Sequence, residues 1–251
     1  LARVRPDVFL IEFFPFDRWS LRPELISSIE TFGRVHPEGK VVCSLRDIPA
    51  HAKTAELLKN PNVPERLIVD LLKFYSVPLG GCHHENVASS RRYYQEVCPT
   101  LNAYFDALMV HGDPRISRLE DHFPWVEDIG IPVIYTGFVS EKLNGQQHLD
   151  HETRYVLVSA GGGAEGYAIA APCVAAWKRL HAEGKVDDRE MVIFSGLYVE
   201  DAHFEALQQM CAGGPFRLAR FTSDFLQWMD GADLSISRAG YNTCMNVLET
   251  Q

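Results

Sequence analysis

The stretch Val156–Gly166 reads VLVSAGGGAEG and decides the fold of the second half of the chain. A continuous apolar run without polar alternation is typical of a strand that is covered on both faces of a parallel sheet. The glycines allow a tight turn, and the pattern from Gly166 to His181 predicts a helix. This order predicts an anion-binding turn, because backbone N–H groups and the positive end of a helix dipole converge there.

The same alternation of short apolar runs with helical patterns extends along the chain in both directions. The predicted strands are residues 8–11, 40–45, 107–110, 132–135, 155–160, 191–195, 216–220 and 234–237, and the predicted helices are residues 23–32, 63–75, 88–97, 166–181, 201–211, 224–229 and 241–249. This succession predicts an α/β fold with two Rossmann-like, doubly wound parallel-sheet domains.

The boundary between the two domains is predicted where the sequence becomes polar and loses its periodicity, at residues 144–148, NGQQH. We assign residues 1–139 to an N-terminal domain, 140–153 to a linker and 154–251 to a C-terminal domain. The last helix has no C-cap signal or following strand, and the chain starts without Met or a signal-peptide pattern. We therefore expect both domains to be incomplete in this sequence.

The composition narrows the classes of function. The chain has 251 residues, 46% of them hydrophobic and 23% charged, which is typical of a soluble globular protein. A net charge of -9 argues against nucleic acid as a partner, and no run approaches the roughly 18 apolar residues of a membrane span. Six cysteines without a CxxC pair indicate reduced thiols in a cytoplasmic protein.

A second anion-binding turn is predicted in residues 232–243, ADLSISRAGYNT. A strand ends at Ser237, small residues follow, and a helix begins near Asn242 with its positive dipole end at the same edge of the sheet. Two such turns in one domain favour a ligand with more than one polar group. The alternative for Asn242 and Thr243 is that they only cap the helix.

The glycines at 161, 163 and 166 also fit the G-x-G-x-x-G pattern of dinucleotide sites. That pattern expects an acidic residue at the end of the next strand, about 20 residues on, to hold a ribose. The next predicted strand ends at Phe194, Ser195 and Gly196, without an acid. A nicotinamide or flavin cofactor is therefore disfavoured, and no cofactor is expected.

Several short motifs, in their order along the chain, resemble those of GT-B glycosyltransferases. They are most similar to a bacterial group of predicted glycosyltransferases, related to the N-acetylglucosaminyltransferase that completes lipid II. The motifs are IEFFPF at 11–16, CSLRDI at 43–48, VHGDP at 110–114, YTG at 135–137, FTSDF at 221–225 and ADLSISRAGYNT at 232–243.

The resemblance implies that the C-terminal domain binds a UDP-sugar such as UDP-GlcNAc, for transfer to an unidentified acceptor hydroxyl without a bound metal. It places Gly161, Gly162, Gly163 and Ala164 beside the diphosphate, Phe221 and Thr222 against the uracil, and Ser237, Ala239, Gly240, Asn242 and Thr243 beside diphosphate and ribose. A Glu that holds the ribose in the family is replaced by Asn246. A nucleotide-sugar 2-epimerase and a non-catalytic nucleotide-sugar-binding module remain as alternatives.

Catalytic candidates are polar residues that follow predicted strands, because the resemblance places the usual catalytic turn before Leu1. Asp47, His111 and Asp113 are such residues, and a carboxylate or an imidazole can act as general base on an acceptor hydroxyl. The structural alternatives are a turn at Asp113 and an ion pair between Arg46 and Asp47.

Two further patches have less specific patterns. The run CHHE at residues 82–85 is rich in ligand atoms, but adjacent histidines seldom bind one ion, so no metal site is predicted. The aromatic residues Phe13, Phe14, Phe16 and Trp19 predict core packing, or a peripheral membrane contact if part of the patch is exposed to a lipid-linked acceptor.

Overall fold

A computed structural model describes residues 4, 6–46, 62, 64, 87–123, 125–143, 153–238 and 240–250, with the backbone alone for 87–95. The chain divides into two compact units, Leu1–Val139 and Ser140–Gln251. Residues 144–152 of the predicted linker, and the predicted helix 63–75 apart from residue 64, lie outside the described residues.

The N-terminal unit has a parallel sheet in which the order of the described strands follows the chain. Its described strands are β1 (Val8–Glu12), β2 (Lys40–Leu45), β3 (Ala107–Val110) and β4 (Val133–Tyr135), and its described helices are α1 (Arg22–Val35) and α2 (Val87–Tyr104). Short 3-10 segments occupy Trp19–Leu21, Leu119–Asp121 and Val126–Asp128.

The aromatic residues that the sequence analysis singled out belong to the core of this unit. Phe14 and Phe16 are buried, and Phe13 and Trp19 are partly buried against the same cluster. Helix α2 extends past the predicted end at residue 97 and continues through Pro99 to Tyr104. The buried side chains of Val97 and Leu101 explain the extension, since packing of an apolar helix face outweighs the local preference of proline to end a helix.

The C-terminal unit has a second parallel sheet, with the strand order β7-β6-β5-β8. Its strands are β5 (Arg154–Ser159), β6 (Arg189–Phe194), β7 (Phe216–Ala219) and β8 (Leu234–Ser237), and its helices are α3 (Gly166–Ala182), α4 (Asp201–Cys211), α5 (Phe225–Asp230) and α6 (Tyr241–Glu249).

The two faces of this sheet carry separate cores, because successive side chains of a strand point to opposite sides. Val156, Val158, Met191 and Ile193 pack with residues of α3 and α4, including Ala170, Val174, Trp177 and Leu207. Tyr155, Leu157, Val192 and Phe194 pack on the opposite face with Trp228 and Met229 of α5 and with Val247 of α6. The unit is therefore doubly wound.

These sheets confirm the predicted α/β fold with two Rossmann-like parallel-sheet units. Among the described cysteines, Cys43, Cys98, Cys173, Cys211 and Cys244 are unbridged. Within the described ranges, no helix has the length and hydropathy needed to cross a bilayer.

Candidate nucleotide-binding site

The C-terminal sheet changes its winding direction at β5. Strands β6 and β7 lie on one side of β5, and β8 lies on the other. In open α/β sheets, ligands bind beyond the carboxyl ends of the strands at such a switch point. Ser159 and Ser237, the last residues of β5 and β8, are direct register partners. The fold thus places both sequence-predicted anion-binding turns at the switch point.

The turn after β5 presents an exposed row of backbone N–H groups. Gly161 has a left-handed backbone (φ 72°), and its N–H lies 3.3 Å from Oγ of Ser159. The N–H groups of Gly162, Gly163 and Ala164 have no acceptor in the part of the chain that the structure describes. All four residues are exposed, and helix α3 begins two residues later. Exposed N–H groups at the start of a helix are suited to bind an anion.

The glycines near this turn divide into two kinds. A Cβ on Gly166 would lie 1.7 Å from the carbonyl oxygen of Ser195, and a Cβ on Gly196 would lie 2.7 Å from the carbonyl oxygens of Gly161 and Gly163. Packing therefore requires glycine at 166 and 196. A Cβ on Gly162 or Gly163 would meet no protein atom within 4 Å, and neither has a positive φ. The fold does not require glycine at these two positions, whereas close approach of a ligand to the backbone does.

The turn after β8 leads directly into helix α6. Gly240 is the N-cap residue, is exposed, and has open space around the position of a Cβ. Because the N-cap is a glycine, helix capping does not explain the identities of Asn242 and Thr243, which lie in the first turn of the helix. Asn242 is exposed and Thr243 is half-buried. Ala239 lies outside the described residues.

An ion pair joins the two turns. The guanidinium of Arg238, directly after β8, contacts the carboxylate of Glu165, directly before α3. Both side chains are more than half exposed, so the pair itself adds little stability. Its position matters more, because it brings a cation to the edge of the sheet where the free N–H groups of the first turn lie.

Aromatic and apolar side chains lie at the carboxyl ends of β6 and β7. Phe221 follows β7 and is 63% exposed, and Leu197 and Tyr198 follow β6 and are 52% and 76% exposed. The hydroxyl of Thr222 accepts a hydrogen bond from the N–H of Asp224 at 3.1 Å, which shapes the turn before α5. Phe221 is therefore presented to solvent at the same edge of the sheet as the two turns.

Asn246 lies on α6 and is half-buried. The helix also carries an acid three residues later, Glu249, but that carboxylate is engaged. Lys142 Nζ lies 2.6 Å from Oε2 of Glu249, and Oγ of Ser140 lies 3.3 Å from the same atom. The hydrogen bond from Lys142 lowers the pKa of Glu249 below its usual value. Glu249 is therefore not free to take the ribose-binding role that the resemblance assigns to a glutamate at position 246.

In the N-terminal unit, His111 lies at the end of β3 between two hydroxyl groups. Its Nε2 is 2.8 Å from Oγ of Ser44, and its Nδ1 is 2.7 Å from Oγ1 of Thr136. Burial lowers the pKa of His111 below its usual value, and the negative charge of Glu12 opposes this to a smaller extent. His111 is thus held as a neutral imidazole at pH 7.

Asp113 forms a tight pair with Arg115. The guanidinium approaches Oδ2 of Asp113 at 2.6 Å and Oδ1 at 3.0 Å, and the backbone N–H of Arg115 donates to Oδ1 at 2.8 Å. These hydrogen bonds lower the pKa of Asp113 to about 2. A carboxylate with so low a pKa is a weak base, which favours His111 over Asp113 as a proton acceptor. Asp47 and the run at 82–85 lie outside the described residues.

Sequence reasoning missed the pair of Arg238 with Glu165 and the hydroxyls of Ser44 and Thr136. A signal for Arg238 was present, because it follows the end of a predicted strand in the same way as His111 does. The hydroxyls gave no such signal, since serine and threonine occur at many strand ends.

No family model matches the chain, and no curated protein matches it. Similar solved structures include UGT73P12 of Glycyrrhiza uralensis, complexed with glycyrrhetinic acid 3-O-monoglucuronide (TM-score 0.49, 11% identity, 99% of this chain and 54% of that one). Others are UGT71G1 of Medicago truncatula, complexed with UDP-glucose (TM-score 0.41, 10% identity, 97% and 55%), and a glycosyl transferase family 9 protein of Veillonella parvula DSM 2008 (TM-score 0.29, 10% identity, 97% and 78%). The chain spans about half the length of the first two.

Proposed function

We propose that the C-terminal unit binds the nucleoside diphosphate part of a sugar donor, and that the protein is a glycosyltransferase that moves the sugar to an acceptor hydroxyl. The observation that carries this proposal is the pair of glycines, Gly162 and Gly163, which the fold does not require and which leave their N–H groups exposed. A diphosphate has the charge and the several oxygen atoms that these donors suit.

The diphosphate would lie at the switch point of the sheet. The N–H groups of Gly162, Gly163 and Ala164 would bind one phosphate, and the start of α6 at Gly240 would face the other. Arg238 would contribute its charge once it leaves Glu165. Backbone donors and helix dipoles that are fixed in advance stabilise the negative charge of a departing diphosphate. This arrangement supports a transfer in which the diphosphate is the leaving group.

The nucleoside would extend toward Phe221. Strands β7 and β5 are two positions apart, roughly 10 Å at the usual strand spacing. An exposed aromatic ring at that distance offers a stacking surface for a base, and stacking on an aromatic side chain contributes about 1–3 kcal/mol. The proposal includes a preference for uracil, and thus for UDP-sugars such as UDP-GlcNAc, because the motif at 221–225 resembles a segment that lies against uracil.

His111 is the base that we propose for the acceptor hydroxyl. It is neutral at pH 7 and hydrogen-bonded on both ring nitrogens, whereas Asp113 is paired with Arg115. A neutral imidazole has a free nitrogen lone pair and can therefore act as a general base on a hydroxyl.

A non-catalytic nucleotide-sugar-binding module is the second candidate, and Asn246 favours it. A carboxylate that accepts ribose hydroxyls forms stronger, charge-assisted hydrogen bonds than an amide does. Its replacement is expected to weaken the hold on the nucleoside while the backbone contacts to the diphosphate remain.

The first test is calorimetric titration of this chain with UDP, UDP-sugars, GDP, TDP and NADH at one ionic strength. Saturable binding with a preference for uridine diphosphates supports the donor site, and a preference for NADH or no binding of any diphosphate contradicts it. Incubation of UDP-sugars with candidate acceptors then separates the classes. Sugar transfer identifies a transferase, isomerisation without acceptor an epimerase, and binding without turnover a binding module.

A further inference from the structure

His111 is fixed between residues from the strands on either side of it. Its backbone N–H donates to the carbonyl of Leu45 at 2.8 Å, which continues the pairing of β2 with β3 by one residue. The N–H of Thr136 donates to the carbonyl of Val110 at 3.0 Å, which does the same for β3 and β4. The three side chains of Ser44, His111 and Thr136 are therefore aligned at neighbouring strand ends by the sheet itself.

The direction of each hydrogen bond follows from the partners of Thr136. Its hydroxyl oxygen lies 2.9 Å from the carbonyl oxygen of Gly137 and 3.4 Å from that of Val110, and carbonyl oxygens only accept. The single hydroxyl proton is therefore directed to a carbonyl, so Oγ1 accepts a hydrogen bond from the N–H at Nδ1 of His111. With the proton on Nδ1, the lone pair of Nε2 accepts a hydrogen bond from the hydroxyl of Ser44.

We infer that Ser44 and Thr136 are positioning residues that hold His111 as the Nδ1-protonated imidazole, with Nε2 as its proton-accepting atom. A base whose ring is oriented by a third group, and whose second nitrogen meets a hydroxyl, is the usual arrangement of nucleophile-activating histidines. The use of Nε2 in sugar transfer rests on the proposed function, whereas the protonation state of the ring does not.

In the proposed reaction, an acceptor hydroxyl replaces Ser44 as the donor to Nε2. The acceptor O–H bond breaks, its proton forms a bond with Nε2, and the oxygen keeps the electron pair of the broken O–H bond. The imidazolium is then stabilised on both sides, because Thr136 still accepts from Nδ1 and Ser44 can accept from Nε2 after its hydroxyl rotates.

The charged groups around the ring are consistent with this assignment. Glu12, at the end of β1, acts on His111 through its negative charge, and Nε of Arg46 lies 3.3 Å from Oε1 of Glu12. Asp113 follows β3 as His111 does, and its negative charge is paired with the guanidinium of Arg115. A carboxylate near an imidazole stabilises its protonated form, so Glu12 favours proton transfer to the ring.

The test is nitrogen NMR of the chain labelled with 15N-histidine, because ring nitrogen shifts separate protonated from unprotonated nitrogens. His111→Gln identifies the signals of His111. We expect the proton on Nδ1 in the unmodified chain and in Thr136→Ser, which keeps the hydroxyl. Thr136→Val, of similar volume, is expected to lose the Nδ1-protonated form and transfer the proton to Nε2. The signals of His122, whose Nε2 lies 2.8 Å from Oγ of Ser117, provide a reference that must not change.

Titration provides the second readout. Ser44→Ala and Thr136→Val each remove an oxygen that accepts a hydrogen bond from the protonated ring, so both are expected to lower the pKa of His111. An Nε2-protonated ring in the unmodified chain, or an unchanged tautomer in Thr136→Val with His122 unaffected, would overturn the inference. If the tautomer is as expected but no nucleotide binds, the inference holds and the proposed function fails. If transfer is detected, Thr136→Val should lower kcat with little change in KM, and Thr136→Ser should restore it.

Discussion

Substitution of Gly163 by valine should abolish most of the affinity for UDP without unfolding the protein. The position has open space for a side chain and no positive φ, so the fold tolerates the change. The valine methyl groups would occupy the space through which a phosphate reaches the N–H groups of Gly162, Gly163 and Ala164. A hydrogen bond to a charged group contributes about 1.5–3 kcal/mol. Loss of one such bond should weaken UDP binding by about 2 kcal/mol, a value near the low end of this range because the turn is exposed. This corresponds to a roughly 30-fold higher Kd.

The matched control is the same substitution at Gly33, on helix α1, where a Cβ also meets no atom within 4 Å. Gly33→Val should leave the Kd for UDP unchanged, since it lies in the N-terminal unit. Calorimetry at fixed ionic strength measures the affinity, and urea unfolding checks that both variants remain folded. If Gly163→Val binds UDP within about threefold of the unmodified chain while its stability is unchanged, the turn does not hold the diphosphate.

Three other substitutions test separate parts of the structure. Gly166→Ala should lower the free energy of unfolding by about 1–3 kcal/mol, because its Cβ would clash with the carbonyl of Ser195; a urea midpoint equal to that of the unmodified chain would contradict the packing. Asn246→Glu should tighten UDP binding by about 1 kcal/mol, roughly fivefold, because a charged acceptor replaces a neutral one; weaker binding by calorimetry would place the ribose elsewhere. Folding lowers the pKa of His111, so the unfolded chain binds a proton near pH 6.5 that the folded chain binds only at lower pH. The free energy of unfolding should therefore fall as the pH drops below about 6.5. Urea unfolding at several pH values should show a smaller fall for His111→Gln.

The secondary structure could be predicted from the sequence because the local signals agree with one another. Strand β8 and helices α4 and α6 have the predicted bounds, and each is delimited by turn residues such as Gly231 and Gly240. Helix α2 departs most from its predicted bounds, since Pro99 indicates an end that the packing of Val97 and Leu101 overrides. Local propensity alone does not resolve this conflict, because the burial of Val97 and Leu101 depends on residues that are distant in the sequence.

The candidate site could be predicted only where its function depends on the backbone. The turns at 161–164 and 237–240 were identifiable because glycine and small residues after a strand have few other uses. Which glycines serve packing and which leave open space could not be predicted, since the carbonyl of Ser195 approaches Gly166 from another strand. The pair of Arg238 with Glu165 likewise joins residues 73 positions apart and has no local signature.

The division between backbone and side-chain contacts also determines the expected effect of Asn246, which stands where the resemblance expects a glutamate. The proposed contacts to one of the two phosphates come from N–H groups at Gly162, Gly163 and Ala164, which no change on α6 removes. Glu249 is held by Lys142 and Ser140, so it is not available to bind a ribose. Diphosphate binding should therefore persist while discrimination between nucleosides weakens. If Asn246→Glu raises affinity and transfer together, the chain has kept its catalytic apparatus; if it raises affinity alone, the binding-module interpretation is favoured, and His111 has no acceptor to activate.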